Sequence, residues 1–306
     1  MIERLVASLV PRLGKASGLE LAARQGVDGI HAGRHRSRRI GSSLDFADHR
    51  AYQQGDDPRD IDWKAYARSD RLLVRRWHDD RQLPVALLVD TSASMAYRTP
   101  PEGDQARPTK GYHARLVAAI LGLLALDQGD RVQLLLSGNI GGEVGGHDRF
   151  SRPNSPDSLC AMLSALGDGG QDAATDLVRT ATERLGQRHL LILISDLLDD
   201  PGELIEIAGV AGARGHELAA LQVLDASELE LPTAWGSTRL VDPEERHASV
   251  EGDAADLAAG YAEAFATHQS RLLSGLAGVG AEHHLLPTHG EAAAQVAAWL
   301  GRRSFR

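Results

Sequence analysis

The chain has 306 residues, 42% of them apolar, enough for one large domain or two small ones with a real core. A single cysteine, Cys160, excludes an intramolecular disulfide, and no run of about 18 apolar residues marks a membrane span. Residues 1–81 hold 16 Lys/Arg against 12 Asp/Glu, the remainder 17 against 30, and the net −9 argues against broad nucleic-acid binding.

The first apolar stretch, Leu5 to Val10, is interrupted on both sides by Arg4, Pro11, Arg12 and Lys15. It is too short for a signal-peptide core, so a soluble, cytoplasmic protein is expected. Leu5 to Arg24 predicts one or two helices, and beyond Gly26 the pattern is short strands and turns. From Pro84 onward, strands and helices alternate as in a mostly parallel sheet. Val85–Val89 is a continuous apolar run, followed by a helix over Tyr112–Leu126 with apolar residues at Leu116, Ile120, Leu123 and Leu124. Val132–Leu136 is a second core strand, and the glycine-rich Gly138–Gly146 leads to a short edge strand. Helices are expected over Ser158–Leu166 and Asp176–Leu185, then the apolar strand His189–Ile194, then a helix opened by Pro201. Leu218–Leu224 and His283–Leu286 are the last strands, separated by an Ala-rich helix from Ala254 to about Leu276. Pro232–Val250 reads as a surface hairpin, and Glu291–Leu300 as the final helix. The domain reading is an N-terminal arm, 1–83, and an α/β domain with a doubly wound, mostly parallel sheet, 84–306.

The chemistry concentrates where the first core strand ends, in Asp90-Thr-Ser92-Ala-Ser94-Met95. A carboxylate and two hydroxyls at alternate positions of a tight loop offer three oxygen ligands to a hard divalent cation. Ligands in open α/β sheets bind outside the carboxyl ends of strands, so the position suits the chemistry. The same residues could instead cap a helix. Ser195-Asp196 closes the apolar run His189–Ile194 and puts a second carboxylate at the end of a neighbouring strand. Between them lies Gly169-Gly170-Gln171-Asp172-Ala-Ala-Thr175-Asp176, just before a helix, where either Thr175 or Asp172 could be the middle ligand. Thr175 could also be that helix's N-cap.

Asp-x-Ser-x-Ser resembles the first loop of a metal-ion-dependent adhesion site of the von Willebrand factor A type, and Thr175-Asp-Leu resembles part of its middle loop. Upstream lie Gly33-Arg-His-Arg-Ser-Arg38, Asp45-Phe-Ala-Asp-His49-Arg50-Ala-Tyr52, Gly55-Asp56-Asp57-Pro-Arg59-Asp-Ile61-Asp62-Trp63 and Ala67-Arg68-Ser-Asp70. Together these closely resemble the bacterial "domain of unknown function 58" family over nearly the whole chain. The resemblance implies a von Willebrand A-like fold and association with MoxR-type AAA+ ATPases. Many members carry N-terminal membrane helices, and this chain resembles the short form without them.

Three functions are open. One is a metal-dependent protein-binding or adaptor module holding Mg²⁺ or Mn²⁺ through Asp90, Ser92, Ser94, Thr175 and Asp196, with a MoxR-type AAA+ ATPase or its client protein as partner. Another is a divalent-metal-dependent hydrolase, although no general base stands beside the loop. The third is a structural adaptor whose site is vestigial. Asp56, Asp57, Arg59, Asp62, Trp63, Arg68 and Asp70 alternate charge around an aromatic backing, as a clamp on the arm, a docking surface or a catalytic group. The basic run Arg34–Arg39 lacks the interleaved aromatics of a base-stacking surface. His283 and His284 point to opposite faces of a strand and do not make a zinc pair.

Overall fold

Runs of apolar residues that hydrogen-bond only laterally become the centre of one sheet, and helical stripes cover its two faces. The structure, a computed structural model, describes residues 15–34, 46–51, 63, 66, 72–77, 84–99, 108–136, 149–169, 173–186, 188–244 and 249–303. The chain divides into two compact units, Met1–His31 with Leu83–Arg306, and Ala32–Gln82. In chain order the elements are α1 (Lys15–Arg34), β1 (Phe46–Ala51), β2 (Leu73–Trp77), β3 (Val85–Val89), α2 (Lys110–Asp127), β4 (Val132–Leu136), β5 (Arg149–Ser151), α3 (Pro156–Ser164) and α4 (Ala174–Arg184). There follow β6 (Leu190–Ser195), α5 (Pro201–Ala213), β7 (Glu217–Leu224), the single turn α6 (Ala226–Leu229), β8 (Ser237–Val241), β9 (Ser249–Asp253), α7 (Ala254–Gly278), β10 (Glu282–Pro287) and α8 (Ala292–Arg303).

The main sheet has the order β10-β7-β6-β3-β4-β5. Its first five strands are parallel and β5 is antiparallel on β4. Alternation along each strand sends side chains to opposite faces. Leu87, Val89, Ile192 and Ile194 meet α1, α2, α3 and α8 on one face. Ala86, Leu88, Leu191 and Leu193 meet α4, α5 and α7 on the other. The sheet is therefore doubly wound, as the alternation of runs and stripes indicates. From β3 the chain steps to β4 on one side and later returns to β6 on the other, so the strand order reverses between β3 and β6. A crevice opens at such a switch point, beyond the carboxyl ends of the two strands.

The N-terminal segment departs from expectation. No turn follows Gly26; α1 runs on to Arg34. Leu19, Ala23 and Ile30 recur at helical spacing and are buried in the core, with Val27 packed against them. Gly26 continues the stripe because the helix passes close to its neighbours, and a Cβ there would lie 2.9 Å from Ile120 Cδ1 and 3.2 Å from Ala293 Cβ. Residues 15–31 thus belong to the sheet unit rather than to an arm spanning 1–83. In the second unit β1 and β2 form an antiparallel pair with a register irregularity between Phe46 and Asp48. The expected surface hairpin is β8–β9, and Asp253 at its end caps α7 by accepting from Ala255 N at 2.9 Å.

Candidate functional site

Asp90 extends β3 by one residue, its N–H donating to Ile194 O at 3.0 Å. Asp90 and Ser195 both continue the Ala86/Leu88 and Leu191/Leu193 face, so their side chains meet. Ser195 Oγ donates to Asp90 Oδ2 at 2.6 Å, and Ser92 N donates to Asp90 Oδ1 at 2.8 Å. Both carboxylate oxygens are thereby engaged, in a residue only 2% exposed. Burial, reinforced by the nearby charge of Asp196, pushes the Asp90 pKa up to about 7. Beyond Asp90 the chain makes a 3₁₀ turn, Ala93–Ala96, anchored by the buried Met95. Ser92 is its N-cap position but makes no side-chain cap bond. Its hydroxyl lies 3.0 Å from Ser94 Oγ instead. The hydroxyls therefore do not cap the turn, whereas the Asp90 carboxylate does take a free backbone N–H of the loop, as the capping alternative expects.

The loop after β6 is fixed at successive atoms. Ser195 Oγ accepts from Leu197 N at 3.2 Å, and the Asp196 carbonyl accepts from Gln222 Nε2 at 2.9 Å. The Leu197 carbonyl lies 2.8 Å from His268 Nε2. Leu197 has φ 53° and is the one non-glycine residue with positive φ among the described residues. A branched side chain in that region is strained, and such strain persists only where surroundings over-determine it. Gln222 is fully buried and its Oε1 lies 2.9 Å from His283 Nε2 on the edge strand β10. Polar contacts thus run from β10 across β7 to the site loop.

Asp196 is one residue out of phase with Ser195 and points to the other face, where α2 begins. There Lys110 Nζ lies 2.7 Å from Asp196 Oδ2 and 2.5 Å from Glu228 Oε1, with the lysine side chain wholly buried. Burial alone would lower the ammonium's pKa, but Asp196 and Glu228 reverse this and hold it above the usual lysine value. The second Glu228 oxygen accepts from Asp225 N at 2.8 Å, completing a capping box at the start of α6. The Tyr97 ring centroid stands 5.8 Å from the ammonium, and Tyr97 Oη lies 2.8 Å from Ser227 Oγ. Buried Asp225 takes further bonds from Thr99, Ser227 and Thr288; burial alone would raise its pKa, but the bonds from Thr99 and Ser227 hold it below the usual value.

The third loop reaches the first through Gly169 N, which donates to Thr91 O at 2.9 Å. Gly169 has φ +111°, a conformation that a side chain would strain. Asp168 beside it is paired with Arg115 of α2. Thr175 is buried in the first turn of α4, whose N-cap is Ala173, so Thr175 is not the capping residue. Among the described residues no cluster of three or more His, Cys, Asp or Glu is arranged to hold a metal. Any cation here would depend on hydroxyl oxygens as well as carboxylates.

The structure therefore joins Asp90 to Ser92 N and Ser92 Oγ to Ser94 Oγ, sets Asp196 near enough for its charge to act on Asp90, and starts α4 with Thr175 beside β3 and β6, on which that helix packs. Asp172 lies outside the described residues, as do Asp56, Asp57, Arg59, Asp62, Arg68, Asp70 and the basic run beyond Arg34. Trp63 is 58% exposed, with its ring centroid 6.3 Å from that of Tyr66 in an edge-on arrangement. Lys110, Glu228 and Gln222 were not singled out from sequence. A lysine opening an apolar helix, and a glutamine inside an apolar strand, were the available signals.

A doubly wound α/β protein with oxygen-rich loops at its switch point is the class defined by this geometry. The chain belongs to the family described as protein of unknown function DUF58, whose profile matches residues 48–271. It is similar to uncharacterized protein Rv1480 of Mycobacterium tuberculosis and uncharacterized protein Mb1516 of Mycobacterium bovis. Each is 30% identical over 280 residues, covering 89% of this chain and 83% of the relative. Among solved structures it is similar to BatB from Bacteroides thetaiotaomicron, with 16% identity and a TM-score of 0.40. An aerotolerance-related membrane protein from Bacteroides fragilis gives 13% identity and a TM-score of 0.46. In both cases 73% of this chain and 100% of the other are covered. No helix among the described residues is long and apolar enough to cross a membrane.

Proposed function

We propose that the crevice is a protein-docking site of the von Willebrand A type, working through a divalent cation, Mg²⁺ or Mn²⁺. The observation that carries this reading is the 3.0 Å separation of Ser92 Oγ and Ser94 Oγ beside two carboxylates. Neighbouring oxygens around a cation with bonds of about 2.1 Å lie about 3.0 Å apart, so the hydroxyls suit adjacent positions of an octahedron. The buried Asp90 carboxylate, repelled by Asp196, is also paired with no cation among the described residues.

In this reading Ser92, Ser94 and Thr175 supply neutral oxygens, while Asp90 and Asp196 supply charge. The cation would supply a Lewis-acidic vacancy that a carboxylate from another protein can fill. Asp90 orients the loop through Ser92 N and Ser195 Oγ, and the strained Leu197 turn fixes the backbone beside Asp196. A hydrolytic reading is less well supported, because Glu228, the other buried carboxylate beside Asp196, has both oxygens engaged by Lys110 and Asp225 N. The first partner to try is a MoxR-type AAA+ ATPase or its client, in the cytoplasm, as the family resemblance implies.

Co-purification with that ATPase, in Mg²⁺ and in chelator, tests the proposal. Recovery should require Mg²⁺ and be lost with Asp90→Ala. Equal recovery under all conditions would show the loop is not the contact, leaving the vestigial-site reading.

A further inference from the structure

Lys110 sits where a lysine is hardest to explain. It is the first residue of α2, at the positive end of the helix dipole, and its side chain is fully buried. Removing an ammonium from water costs several kcal/mol, and a well-packed apolar residue commonly serves stability as well or better. Stability alone therefore does not account for it.

Its contacts suggest another role. Nζ takes Asp196 Oδ2, and its other partner, Glu228, is held on its remaining oxygen by Asp225 N. Glu228 is thus spent on Lys110 and the α6 cap, while Asp196 shares its charge with a fixed ammonium. A cation drawing on Asp90 and Asp196 would share its second carboxylate with this fixed positive charge, and find a poorer donor in Asp196. Coulomb repulsion at that range is large in a buried setting.

We propose that Lys110 is a positioning residue that keeps the site's affinity for a bare divalent cation low. The cation then stays under-neutralised until an outside carboxylate arrives, so metal and acidic partner bind together rather than in sequence. This rests on the cation reading above.

The test is Mn²⁺ titration of the full chain, followed by electron paramagnetic resonance. Lys110→Met/Glu228→Gln removes the ammonium together with the carboxylate that would be left unpaired, and should bind Mn²⁺ at least tenfold more tightly than wild type. Lys110→Arg, which retains the charge, should bind within threefold of wild type. Lys110→Gln/Glu228→Gln serves if the first variant does not fold, as judged by circular dichroism. Equal or weaker Mn²⁺ binding by the uncharged double variant overturns this inference and leaves the cation site standing. Absence of Mn²⁺ binding in wild type and double variant alike overturns both.

Discussion

Ser195 Oγ donates a hydrogen bond to Asp90 Oδ2 at 2.6 Å, tying the carboxyl ends of two adjacent parallel strands across the point where the sheet reverses its order. The contact follows from register: Val89 pairs with Ile194, so the next residue of each strand falls on the same face. Two apolar strands thus deliver one carboxylate, and the residue that follows Ser195 delivers the second.

Replacing Asp90 by Asn should leave metal-free stability at pH 8 unchanged or raise it by about 1–3 kcal/mol. Folding raises this carboxyl's pKa from 3.8 to about 7, so its ionisation opposes folding. That cost grows as pH rises through this window and is fully present above about pH 7. Urea denaturation in chelator measures it. A marked loss of stability would show that the carboxylate is a net structural asset.

Lys110→Met alone should destabilise the protein by about 3–5 kcal/mol, because it leaves Asp196 and Glu228 buried without their cation. Adding Glu228→Gln should recover part of that loss. Non-additive denaturation midpoints in the double-mutant cycle would confirm that the two side chains act as a pair.

His283 is held neutral by burial and by neighbouring His284, its pKa pushed down to about 4. A histidine whose folded pKa is depressed destabilises the fold as pH drops below its unfolded value of about 6.5 and approaches the folded one. Asp90 has the opposite sign between pH 4 and 7, so the comparison belongs in the Asp90→Asn background. There, His283→Gln should lose less stability between pH 6.5 and 4.5 than the parent. Identical slopes would remove His283 from the acid response.

Trp63→Ala should change global stability by less than about 1 kcal/mol, since the ring is 58% exposed. If this face docks a partner, co-purification should fall while the denaturation curve holds. A loss of 3 kcal/mol or more would favour the clamp reading over the docking surface.

Local signals carried the fold well. Val85–Val89 and the run into Ser195 are apolar enough to be read as buried strands, and each ends in the residues that form the crevice. What failed to show was whatever depends on distant packing. The chain reads as short strands and turns beyond Gly26 because the close approach of Ile120 and Ala293 to that glycine is invisible in the one-dimensional pattern. Thr175 looked like a cap, yet the helix starts at Ala174 with Ala173 in that role. Lys110 meets Asp196 and Glu228 across 86 and 118 residues of sequence, and no spacing rule spans that.

The seating of α1 bears on how the chain is made. Its Gly26 faces Ala293 of α8, far along the chain. During synthesis α1 emerges well before α8, so its docking surface is completed only once α8 has been made. Until then the Leu19, Ala23 and Ile30 stripe has no finished counterpart, and the second unit, Ala32–Gln82, is translated while its host is incomplete. Such long-range closure slows folding and leaves apolar surface open to association. Truncation at the C-terminus should therefore release the N-terminal helix first, which protease sensitivity within residues 15–31 would report.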